Sequence, residues 1–127
     1  MAQSARIIAH IVAALLGLAF AFFGYFKTFA SLAVLAQHHA WTLALPEAAG
    51  RLVGVSELVA AFALLLGAIR PRWHRLAVGA AIYAMLNQGI AASVHIARSE
   101  IAALPQNAVL AGLALFVALC LAPRTAH

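Results

Sequence analysis

Charge is what this sequence has least of. Only 9% of its 127 residues are Asp, Glu, Lys or Arg, against 66% hydrophobic residues. A soluble domain keeps roughly 25% charged residues to face water, so an ordinary water-soluble fold is excluded. Acidic residues are the scarcest: three, against eight Lys and Arg, for a formal net charge of +5. That basic excess forms no stripe and has no soluble module to carry it, which excludes a nucleic-acid partner; basic residues at helix ends instead suit anionic lipid headgroups. Cysteine occurs once, as Cys120 inside the last apolar run. A single thiol makes neither an internal disulfide nor a CxxC redox motif, so Cys120 is expected to be a small lipid-facing or packing residue. Nothing marks out a haem ligand, and His38-His39 has no carboxylate or thiol close in sequence, so no metal site is expected.

What is present in quantity is apolar chain. Four runs, at about 7–26, 52–69, 76–97 and 106–122, are each near the ~20 residues needed to cross a hydrocarbon core. They are apolar all round, as lipid favours, and continuous where a membrane barrel would need alternation. The expected fold is therefore all-α: one domain over 1–127, an integral membrane four-helix bundle in contact with the lipid bilayer. The first run is longer than the 7–15 residues of a signal-peptide core and three spans follow it, so it is expected to be retained. Lys27, Arg51, Arg70-Pro71, Arg98, Pro105 and Pro123 punctuate the spans. Arg70 to Arg75 is a tight basic turn with Trp73 placed as an interface anchor. The loop from Thr28 to Gly50 carries Leu32, Val34, Leu35, Leu43 and Leu45 and is expected to lie in the interface. Arg6, Arg70, Arg72, Arg75 and Arg124 would share one side, with Lys27, Arg51 and Arg98 opposite. This bias predicts both termini in the cytoplasm and a multi-pass protein of the cell's inner (plasma) membrane.

The functional information lies in the few polar side chains within the spans. Lys27 closes the first, Glu57 lies in the second, Asn87, Gln88 and His95 lie in the third, and Gln106 and Asn107 open the fourth. A carboxylate in hydrocarbon costs roughly 2.5–3.5 kcal/mol on insertion scales, so Glu57 should turn inward and find a partner. Gly54, Glu57 and Ala61 share a helical face; Gly17, Ala21 and Gly24 form a small-residue seam on the first span. Gln88 and His95, seven apart, share a face as well. Lys27, Glu57 and His95 are therefore the candidate catalytic residues, expected at one depth in the outer half of the bundle. Asn87 and Gln88, nearer the midplane, are candidate ligand-binding residues or simply interhelical glue. Lys27 either pairs with Glu57 or snorkels to the headgroups. His10, His38, His39, His74 and His127 read as interfacial or loop residues.

Several stretches resemble the DoxX-like family of small four-span membrane proteins. Gly17-Leu-Ala-Phe-Ala-Phe-Phe-Gly24-Tyr-Phe-Lys27 is similar to the end of its first helix, and Gly54-Val-Ser-Glu57 to its glycine-x-x-glutamate helix. The run from Ala80 to His95, with its late histidine, and Pro105-Gln-Asn107 before an apolar run complete the order. The resemblance implies a component of quinone-linked redox systems, associated in some members with thiosulfate oxidation or with a partner redox enzyme. Other members act as membrane chaperones or have no assigned activity. It carries Lys27, Glu57 and His95 over as the family's polar positions. The chain holds no nucleotide, flavin or iron–sulfur motif, so no intrinsic cofactor is expected; a quinone and a redox partner protein would supply the chemistry. Two other functional classes stay open beside this one: a small proton-coupled transporter, acting as a homo-oligomer, and a non-catalytic scaffold or chaperone. Four-span exporters place their glutamate in the first helix, whereas Glu57 is in the second.

Overall fold

The computed structural model describes residues 2–124, so His127 lies outside the described residues. Five α-helices follow in order: α1 (Gln3–Phe29), the short α2 (Leu32–Gln37), α3 (Glu47–Ile69), α4 (His74–Ala97) and α5 (Leu104–Leu121). Single 3₁₀ turns sit at Trp41–Ala44, Pro71–Trp73 and Ile101–Ala103. The four long helices are each long and apolar enough to cross a membrane. They run past the expected bounds because polar end residues still continue the helix: α1 includes Gln3 to Arg6, and α3 starts at Glu47. Pro105 does not precede the last helix but occupies its first turn, where a missing N–H costs nothing.

α1 packs on α3 and α5, and α4 on the same two helices, so the spans form a ring in the order α1, α3, α4, α5. The core where they meet is mostly alanine, with Leu16, Phe20, Leu64, Val117 and Leu121 filling the wider gaps. Large apolar residues such as Leu15, Phe22, Leu52, Phe62, Leu86 and Leu119 point outward instead. Small residues inside and large ones outside is the arrangement expected of helices packed in lipid, where close approach supplies the association energy. The α1–α3 contact shows it. A Cβ built on Gly24 would lie 2.7 Å from the Gly54 carbonyl oxygen, and one on Gly17 3.2 Å from that of Ala61. The two small-residue seams read from the sequence thus face one another. Cys120 is buried, a packing residue rather than a lipid-facing one.

The loop between α1 and α3 does more than skirt the bundle. Ser31 caps α2 by accepting from Val34 N at 3.2 Å. The chain then reverses at His39, whose φ of 53° is left-handed. Leu35, Trp41 and Thr42 are buried. Arg51 of α3 donates to the carbonyls of Lys27 (2.9 Å) and Ala30 (2.5 Å), satisfying acceptors that the end of α1 leaves open. Arg98, at the end of α4, donates to Ala40 O at 3.1 Å. The loop is thereby tied across one end of the bundle. At the opposite end, His10 and His74 are not loop residues. They lie on α1 and α4 with ring centroids 4.9 Å apart, and His10 Nδ1 donates to Ala68 O at 2.9 Å.

Candidate functional site

Glu57 sits fully buried on α3 because Gly54, one turn before it, lets α1 come close enough to cover it. Burying a carboxylate demands partners. Lys27 supplies the first: α1 continues just far enough past Gly24 for Nζ to donate to Glu57 Oε1 at 2.5 Å. The side chain of Lys27 is 11% exposed, so it pairs with Glu57 rather than snorkelling. Its ammonium also lies 5.6 Å from the Trp41 ring and 6.0 Å from that of Phe23, within cation–π reach.

Asn87 on α4 supplies the second partner, donating from Nδ2 to the same carboxylate oxygen at 3.1 Å and lying 3.3 Å from Tyr83 Oη, which is in turn hydrogen-bonded to Ser56 on α3. Gln88 Nε2 donates to Asn87 Oδ1 (3.2 Å), and Asn107 Nδ2 on α5 donates to Gln88 Oε1 (2.8 Å). One polar string therefore crosses all four spans: Lys27, Glu57, Asn87 with Gln88, and Asn107. Glu57 Oε2 and Asn107 Oδ1 are buried and have no hydrogen-bond partner among the described residues.

His95 belongs to a second group. The sequence places it with Lys27 and Glu57, yet its Nδ1 donates to Glu100 Oε1 at 3.0 Å. Glu100 is also in ion-pair contact with His39 Nδ1 at 3.0 Å and Arg98 Nε at 3.3 Å. One carboxylate thus joins the α1–α3 loop to the α4–α5 turn. The hydrogen bond from His95 is the main cause that holds its carboxyl below the usual carboxylate range; Arg98 and His39 add to it, and partial burial opposes it.

Both groups border one cavity of about 780 Å³, walled by α1, the loop residues around Trp41, α4, the α4–α5 turn and α5. Lys27, Gln88, His95 and Asn107 form its polar side; Phe22, Phe23, Phe26, Trp41 and Leu110 form its apolar side. α3 contributes no wall. Glu57 stands behind Lys27 and acts on the cavity only through it, while Asn87 acts through Gln88. Among the described residues, no group of three His, Cys or Glu side chains is placed to hold a metal ion.

Two contributors escaped the sequence. Trp41 sits in a loop whose apolar content signalled interface, not a wall. Glu100 is five residues beyond His95 but past the end of α4, so helical spacing does not connect them. The tight turn at Ser99, with a left-handed φ of 58°, brings the carboxylate back.

No curated protein and no solved structure matches the chain. The model of the DoxX-like family matches residues 11–117, an extent that includes Lys27, Glu57, both amides of α4, His95 and Asn107. The chain belongs to the DoxX-like family.

Proposed function

We propose that this protein is an integral subunit or accessory of a quinone-linked redox system, and that the cavity receives a quinone headgroup. Its setting in this reading is the inner (plasma) membrane, with both termini in the cytoplasm. The observation that carries the reading is the two-sided character of the cavity. Its volume of about 780 Å³ falls in the range of small-molecule sites, and such sites pair apolar walls with a few convergent polar groups. A ring with oxygens at opposite edges would fit it: Phe22, Phe23, Phe26 and Trp41 border its faces, Lys27 offers N–H groups to one oxygen, and His95, whose Nδ1–H is taken by Glu100, offers Nε2 to the other. A bound quinone supplies the redox chemistry, two electrons and two protons converting two carbonyls to hydroxyls. A partner protein supplies the electrons.

The chain's own residues bind, orient and move protons. Lys27 donates from Nζ while Glu57 neutralises its charge behind it, so the site stays uncharged overall at that end. His95 exchanges a proton at Nε2, the ring nitrogen that its hydrogen bond to Glu100 does not use.

The test is binding and reduction of a short-chain benzoquinone by purified protein in nanodiscs, with the partner enzyme or a chemical electron donor. Glu57→Gln, which removes the counter-charge of Lys27, is expected to weaken binding by roughly tenfold, the worth of one charge-assisted hydrogen bond. Parent-like binding and reduction by Glu57→Gln would remove the site from this role. One observation favours a second reading, a scaffold: the polar string touches every span and would specify packing without chemistry. In that case substitutions along the string would lower a partner's abundance and leave quinone binding undetected in parent and variant alike.

A further inference from the structure

Glu100 is ionised in its surroundings, because His95 donates to it and His39 and the Arg98 guanidinium stand within ion-pair distance. An ionised carboxylate only accepts hydrogen bonds, so the imidazole nitrogen facing it must carry the proton. That nitrogen is Nδ1 of His95, 3.0 Å from Glu100 Oε1. A neutral imidazole has one N–H, and with Nδ1 protonated the other nitrogen is a lone-pair acceptor. His95 is only 7% exposed and lines the cavity, and its hydrogen bond to Glu100 is made through Nδ1, which leaves Nε2 outside that contact.

We propose that Glu100 is a positioning residue that locks His95 in the Nδ1–H tautomer and so presents Nε2 to the cavity as a proton acceptor, selecting ligands whose ring carries a hydroxyl, the quinol rather than the quinone. The ligand half of this proposal rests on the quinone-linked reading above; the tautomer half does not. The chemistry follows the pattern in which a carboxylate orients a histidine through one nitrogen so that the other can act. The same carboxylate ties down the loop through His39, so one residue couples closure of the cavity to the orientation of its base. Both non-glycine residues with left-handed backbone among the described residues, His39 and Ser99, flank this carboxylate. Such conformations persist only where their surroundings enforce them.

The test is ¹⁵N NMR of histidine-labelled protein in nanodiscs, at a pH where the ring is neutral. His95→Gln assigns the signal by subtraction. The parent is expected to show protonated Nδ1 and bare Nε2 at His95. Glu100→Gln, whose amide both donates and accepts, should give a mixture of tautomers, and Glu100→Asp should restore the parent pattern at least in part. His39→Ala, which removes the loop's contact with Glu100 without touching His95, should leave the tautomer unchanged. A parent spectrum with the proton on Nε2, a result that needs no variant to fold, overturns the proposal. So does Glu100→Gln with the parent's spectrum. Binding of a short-chain benzoquinol and its quinone is then compared in parent and Glu100→Gln. The expected preference for the quinol, about tenfold, should vanish in the variant. If neither form binds while the tautomer is as expected, the quinone-linked reading fails and the positioning role of Glu100 stands.

Discussion

Removing Lys27 should cost this protein more than removing Glu57, and more than removing both. In Lys27→Met, the fully buried Glu57 keeps Asn87 Nδ2 at 3.1 Å on Oε1 and still has nothing on Oε2. An uncompensated buried charge of this kind costs about 3–5 kcal/mol. Glu57→Gln costs less, about 1–2 kcal/mol: the amide keeps Asn87 as a neighbour, and the freed ammonium of Lys27 borders the cavity. In the double variant Lys27→Met/Glu57→Gln no charge remains, and the expected cost is again about 1–2 kcal/mol. The coupling free energy is then about 3 kcal/mol or more, far outside the scatter of independent sites. Equilibrium unfolding of the four proteins in mixed micelles of SDS and a mild detergent, followed by tryptophan fluorescence, measures each value. If Lys27→Met loses under about 1 kcal/mol, or the double variant equals the sum of the singles, the pair does not hold the helices together and its depth has been misjudged.

Other perturbations separate packing from the site. Gly24→Ala places a methyl 2.7 Å from Gly54 O and 2.8 Å from Leu58 N; backbone cannot yield as a side chain can, so a loss of about 1–3 kcal/mol in the same unfolding assay is expected. Gly79→Ala meets nothing within 4 Å and should gain a few tenths to about 1 kcal/mol from helix propensity; a loss there would mean this face is covered. The tie made by Glu100 should follow its own ionisation. Because its carboxyl lies below the usual range in the folded protein, the tie is complete above that range and is lost as pH falls through the lowered value. In a Trp73→Phe background, acrylamide quenching of Trp41 should therefore rise on acidification and be high at all pH in Glu100→Gln; quenching that is flat with pH in both proteins would refute the latch.

The site was legible in part, for reasons that individual residues make plain. Glu57 announced itself because a carboxylate is costly in hydrocarbon and had to face inward, whereas Lys27, at a helix end, could equally have snorkelled, and only the structure pairs the two. Gln88 and His95 could be set on one face by their spacing of seven. Yet the grouping of Lys27, Glu57 and His95 as one cluster divides into two hydrogen-bonded sets, because depth and face do not say which neighbour a side chain reaches. His10 and His74, read as loop or interfacial residues, turned out to be helical and in contact. Their partners are 64 residues apart in sequence, and no local pattern encodes such a meeting.

Composition and periodicity alone determined that this chain is a bundle of four membrane-spanning helices, since apolar length and scarcity of charge leave no other way to satisfy the backbone. They also marked Gly17, Gly24 and Gly54 as places where helices approach, since a missing side chain permits close contact on a packed face; the approach of Gly67 to Ala77 was not marked. Only the tertiary structure decided that Glu57 stands behind Lys27, that Trp41 closes a wall, and that Glu100 returns to His95. Those relations depend on how helix ends and loops meet across the bundle, where distances of about 3 Å between residues far apart in the chain are set by packing and not by spacing.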